Sequence, residues 1–119
     1  MVKCMATMSK HHSWEVNPAK VEAAVRKIVE VSRPVKLILF GSYIQGEINE
    51  NSDLDVLVIA RDEIGDPRKE SVRIRRALRG ISMPMDILVV PQSRWDELKD
   101  VPGLIYNEAL RKGRVAYEA

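Results

Sequence analysis

Two aspartates separated by one residue, Asp53 and Asp55, open an apolar run. Eleven residues before the first of them stands the serine of a glycine-serine pair, Gly41-Ser42. Side chains at i and i+2 of a β-strand project from the same face about 6–7 Å apart, close enough for two carboxylates to share one divalent cation. A glycine-serine turn can present backbone N–H groups and a hydroxyl to phosphate oxygens. Asp86 interrupts a third apolar segment, and a lone carboxylate in a buried strand is costly unless it is paired, metal-bound or at the strand's exposed end. Carboxylates and phosphate oxygens are the ligands a small hard cation prefers, so these residues suit a nucleoside triphosphate held by magnesium.

The elements that must position them are legible from pattern. Asn17-Pro18 makes a helix start, with asparagine as cap and proline in the first turn, and Val21, Val25, Ile28 and Val29 repeat at helical spacing up to Pro34. Val35 to Phe40 reads as a buried strand delivering Gly41-Ser42, followed by a turn or short helix through Gly46. Asn49 to Ser52 is a polar turn, and Asp53 to Ile59 a second strand with Leu54, Val56 and Val58 on its core face. After a loop from Asp62 to Pro67, Arg68 to Gly80 is predicted helical with Ile74, Ala77, Leu78 and Ile81 inward. Met85 to Val90 is a third strand. Ser93 to Lys99 and Pro102 to Lys112 are predicted helices, with Gly113 as a cap and an extended tail from Arg114 to Tyr117.

The bulk properties bound the answer. With 119 residues, 45% of them hydrophobic, the chain suits one domain with a real core and has no room for two. Residues 1–16 show no sustained periodicity and read as a loose N-terminal arm, leaving 17–119 as a single domain. Nineteen Lys and Arg against seventeen Asp and Glu leave a net charge of +2, too small to make nucleic-acid binding the default. A single cysteine excludes an internal disulfide, and the absence of a secretory or membrane-spanning stretch makes the cytoplasm the expected location.

Leu39-Phe40-Gly41-Ser42, then Gly46, then Ser52-Asp53-Leu54-Asp55-Val56-Leu57-Val58, with Asp86 in a later strand, resembles the nucleotidyltransferase superfamily that includes DNA polymerase beta, and more closely its minimal nucleotidyltransferases. The resemblance covers Val35 to Val90 well. It implies an α/β (α+β) fold: a short twisted mixed sheet backed by helices, carrying the three aspartates on one edge of its exposed face. It also implies a reaction in which a hydroxyl attacks the α-phosphorus of ATP or another nucleoside triphosphate and pyrophosphate leaves. Asp53, Asp55 and Asp86 would be catalytic and would hold two magnesium ions, with Asp86 also placed to accept the hydroxyl proton. Gly41 and Ser42 would contact the β- and γ-phosphates. One departure stands out: many minimal members read Gly-Ser-x-Ala-Arg-Gly where this chain has Gly41-Ser42-Tyr43-Ile44-Gln45-Gly46, so Gln45 replaces a cation beside the triphosphate.

Taken singly, each feature has a plainer reading. Asp53 and Asp55 could mark the polar start of a strand, Gly41-Ser42 a strand-to-helix turn, and Asp86 a strand-end carboxylate. Arg68, Lys69, Arg73, Arg75, Arg76 and Arg79 form a dense basic helix most simply read as a solvated face. Aromatic residues are too scattered to form an RNA-stacking platform. His11-His12 carries no assigned role, and Trp95, Tyr106 and Tyr117 read as packing residues.

The chain is too short to carry its own grip on a template or RNA. Minimal nucleotidyltransferases of the kind it resembles pair with a small helical protein of the HEPN type in toxin-antitoxin systems, where the transferase adenylylates a tyrosine of the toxin. The expectation is therefore transfer of AMP to a partner protein. The alternative is a non-catalytic, antitoxin-like module that acts by contact, which Gln45 favours. An open active face also makes self-association plausible.

Overall fold

The computed structural model describes residues 15–46 and 52–119. Residues of the expected arm up to position 14, His11-His12 among them, and positions 47–51, which include all of the expected polar turn but Ser52, lie outside the described residues. Val16 already belongs to the core, and the Glu15 carbonyl accepts a hydrogen bond from Lys20 Nζ.

Helix α1, Pro18–Ser32, begins as its cap predicts: the Asn17 side chain accepts from the Lys20 amide at 2.9 Å, and proline occupies the first turn. Val21, Ala24 and Ile28 are its buried stripe, with Val25 and Val29 packed beside them. Arg33 ends it in the left-handed region, φ 48°, ahead of Pro34. Strand β1, Lys36–Phe40, then runs antiparallel to β2, Leu54–Ala60. Helix α2, Pro67–Ala77, starts where the Asp66 side chain accepts from the Arg68 amide. It stops short of the expected Gly80 because the chain tightens there: Arg79 and Ile81 donate to carbonyls three residues back, Arg76 and Leu78. Strand β3, Met85–Pro91, lies parallel to β2, and α3, Gln92–Leu98, and α4, Ile105–Lys112, follow it. The C-terminal tail is a strand in its own right, β4, Arg114–Glu118, antiparallel to β1.

These four strands form one mixed sheet in the order β3-β2-β1-β4. Side-chain alternation sends Leu37, Leu39, Leu54, Val56, Val58, Ile87 and Val89 to one face, where α1 and α2 cover them. Ile38, Phe40, Leu57, Ile59 and Val90 go to the other face, under Trp95 and Ala109 of α3 and α4. The aspartate-bearing face is therefore not an exposed one, as the sequence suggested. It is buried along most of its length, and the carboxylates occupy the end that α3 and α4 leave uncovered. Gly113 permits that cover, since a Cβ there would strike Ile38 Cγ2 and the Leu39 carbonyl.

Candidate active site

The interval between the glycine-serine pair and the two aspartates is set by the β1–β2 register. Phe40, the last residue of β1, lies opposite Asp55, so the chain leaving β1 turns directly over the start of β2. Gly41 adopts φ +103°, a region side chains avoid. A Cβ on it would stand 2.7 Å from Asp55 Oδ2 and 3.2 Å from the Asp55 amide nitrogen. Glycine is thus what lets the backbone approach the carboxylate. Ser42 is clamped to the other aspartate: its Oγ donates to Asp53 Oδ1 at 2.9 Å and accepts from the Asp53 amide at 3.0 Å. The Tyr43 amide donates to the Asp53 carbonyl, and the Gln45 amide closes the turn on the Gly41 carbonyl. The Ser42 hydroxyl therefore orients Asp53 in addition to standing beside any phosphate at the turn.

Asp86 comes to the same place from β3. It is the register partner of Asp55 on the neighbouring parallel strand, so the two side chains leave the same face of adjacent strands, about 4.8 Å apart at the backbone. The fold thus brings together all three sequence-predicted carboxylates and places Gly41 and Ser42 against two of them. Asp53 and Asp86 are exposed and Asp55 is half-buried. The Asp55 carboxyl is pushed up to about 6, first by burial, then by the negative charges of Asp53, Asp86 and Glu108.

Glu108 is a participant that sequence reading passed over. It sits one turn beyond Ile105 on α4, and Ile105 lines a cleft of about 240 Å3 with Phe40, Asp55, Asp86 and Arg75. Arg75 belongs to the basic helix whose pattern suggests a solvated face. Its Nη2 donates to the Ile87 carbonyl on β3 at 3.3 Å, which brings the guanidinium to the wall of this cleft. Neither residue carries a local signal, because both reach the site from helices far along the chain. A larger hollow of about 550 Å3 lies across the sheet, between α1 and β4, lined by Val21, Val25, Leu39, Tyr43 and Ile44, away from the carboxylates.

The polymerase beta nucleotidyltransferase family model matches residues 23–119, spanning the turn, all three aspartates and every strand. The chain belongs to this family. A Methanocaldococcus jannaschii protein named "putative protein adenylyltransferase" is 38% identical over 56 residues, which cover 47% of this chain and 54% of that protein. The matched region thus spans about half the length of that relative. A Sulfolobus solfataricus crystal structure named as a "putative nucleotidyltransferase" superposes with a TM-score of 0.51 at 16% identity, over 87% of this chain and 90% of the other, a likeness of fold.

The site's donor set fits the divalent cations this family implies. Its three carboxylates are hard oxygen donors on one sheet end, and burial first, then the charges of the neighbouring carboxylates, raise Asp55. Among the described residues no three such side chains converge on one point. No described helix is long and apolar enough to cross a membrane.

Proposed function

We propose that this chain transfers a nucleoside monophosphate, AMP in the first instance, from a nucleoside triphosphate to a hydroxyl on a partner protein, as the antitoxin of a HEPN-type pair. The observation that carries the reading is the Asp55–Asp86 register pair beside an Asp53 held by Ser42. Asp53 and Asp55 would hold magnesium together, with Asp86 completing the site. When bound, two such ions would lower the pKa of the attacking hydroxyl and neutralise charge on the transferring phosphate. The Gly41-Ser42 turn would seat the β- and γ-phosphates on the β1 side of Asp55. Asp86, on the other side, would take the hydroxyl proton as the oxygen bonds to the α-phosphorus and pyrophosphate departs. The name of the Methanocaldococcus relative supports a protein acceptor.

A second reading is a contact inhibitor with little turnover. Gln45 favours it, since no cation stands at that position of the turn. The two readings separate in one experiment: purified chain, magnesium and labelled ATP are offered to a HEPN-type helical protein encoded beside it, with the Asp53→Ala/Asp55→Ala variant in parallel. Transfer by wild type alone supports the enzyme. Equal partner binding by both versions without transfer replaces it with the contact inhibitor.

A further inference from the structure

The cleft at Asp55 and Asp86 is not closed. Ile87 and Leu88 form part of its wall and also part of a second hollow of about 340 Å3, which runs along β3 to Pro67, Arg68, Ser71 and Val72 of α2. Arg68 and Val72 in turn border a shallow basin shared with Lys69 and Arg76. The result is one furrow leading away from Asp86, with β3 as its floor and α2 as its lip.

The floor is a strand edge. β3 pairs with β2 on one side and is the end of the sheet on the other, so its outer backbone groups face the furrow. The Ile87 carbonyl is one of them, since Arg75 reaches it from α2. From Asp86 to Val89 this edge runs about 10 Å, the length of three or four extended residues. Edges of this kind recognise extended polypeptide, with side-chain pockets supplying selectivity.

The lip is basic. Arg73 is spoken for by Glu70, at 2.9 Å, whereas Arg68, Lys69 and Arg76 form no ion pair among the described residues. Between these cations Val72 is 47% exposed, and Ile105 at the mouth of the cleft is 50% exposed. Arginine interleaved with exposed aliphatic side chains over a sheet edge that no other strand covers matches a protein surface better than a nucleic acid, and among the described residues no aromatic ring lines the hollow along β3 to stack a base, Phe40 lying only in the cleft at its head.

The position also assigns a role. The Gly41-Ser42 turn lies on the β1 side of Asp55, while Asp86 and the furrow lie on the β3 side. Donor and acceptor would thus approach from opposite flanks. We propose that the furrow along the free edge of β3, under the basic lip of α2, docks the acceptor as an extended protein segment bearing acidic side chains near the modified hydroxyl. This inference rests on the nucleotidyl-transfer reading for its purpose and on the furrow alone for binding.

The test is a binding titration without nucleotide, followed by amide NMR of the isotope-labelled chain. The probes are three synthetic nine-residue peptides with a central tyrosine and valines, flanked by glutamate, glutamine or lysine, and a ten-nucleotide single-stranded RNA. The glutamate peptide should bind at least tenfold more tightly than the other two and shift the amides of Ile87, Leu88, Val89 and Val72. Arg68→Glu/Val72→Glu, both at exposed positions, should weaken it at least tenfold with the amide spectrum otherwise folded, and raised salt should weaken it too. Equal binding of all three peptides, shifts elsewhere, or indifference to the double variant overturns the proposal. So does RNA that occupies the furrow more tightly than the glutamate peptide. Since no nucleotide is present, failure of nucleotidyl transfer would sink the catalytic reading while leaving the peptide result intact, and the reverse holds equally.

Discussion

Asparagine at position 55 isolates the electrostatic cost of assembling this site. The Asp55 carboxyl titrates near 6 in place of 3.8 because the fold buries it and then sets Asp53, Asp86 and Glu108 around it. A carboxyl whose pKa is raised on folding holds its proton more tightly in the native state. Stability is therefore full below the unfolded value, falls as pH rises from 3.8 to about 6, and stays lost above that. About two pKa units correspond to a ceiling of about 3 kcal/mol. Solvent screening at a side chain this open reduces the figure to about 1 kcal/mol. Asp55→Asn preserves shape and removes the charge, so with chelator at pH 7 the variant should melt about 3–6 °C above wild type, the shift about 1 kcal/mol produces in a domain of this size. At pH 4 the two should coincide. Excess magnesium should raise the wild-type Tm and leave the variant unmoved, because a ligand stabilises only the state that binds it. Thermal unfolding at the two pH values, with and without magnesium, reads all four quantities. A variant less stable than wild type in chelator at pH 7, or a Tm gain of the same size at pH 4, refutes the reasoning.

Gly41→Ala should cost about 2 kcal/mol in urea unfolding, since its Cβ would meet the Asp55 carboxylate in a backbone region that alanine avoids. Ser42→Ala removes both hydrogen bonds between the hydroxyl and Asp53; manganese titration should show about fivefold weaker binding, and Ser42→Thr should restore it. The Glu70 carboxyl would be raised by burial, but hydrogen bonds from Arg73 and Ser32 and the charge of Arg73 outweigh that and hold it below its ordinary 4.5. Its contribution is present at neutral pH and lost as acid protonates it, so Glu70→Gln should lose about 1–2 kcal/mol at pH 7 by urea denaturation, and the loss should shrink as the pH is lowered below 4.5.

Local chemistry made much of the architecture readable. Asn17-Pro18 and Pro34 bracket α1 because capping and the missing proline amide act within a few residues. β2 announced itself through Leu54, Val56 and Val58. What periodicity could not reveal was that Leu57 and Ile59 are covered as well, for a continuous apolar run fits a strand buried on one face or on two. The tail from Arg114 read as extended, but its pairing with β1 depends on a partner more than seventy residues earlier.

The same division holds at the site. Asp53, Asp55, Asp86 and the Gly41-Ser42 turn stood out as candidates in the sequence by itself, because strand alternation and glycine's conformational range are properties of short segments; the burial expected of Asp86 is absent, for it sits exposed near the start of β3. Tertiary structure alone decided that Asp86 is the register partner of Asp55, that Glu108 adds a fourth charge, and that Arg75 stands at the wall of the cleft beside Asp86. Strand order and helix packing bring those groups together across intervals of 11 to 53 residues, and Coulomb interactions depend on distance in space, with no counterpart in distance along the chain.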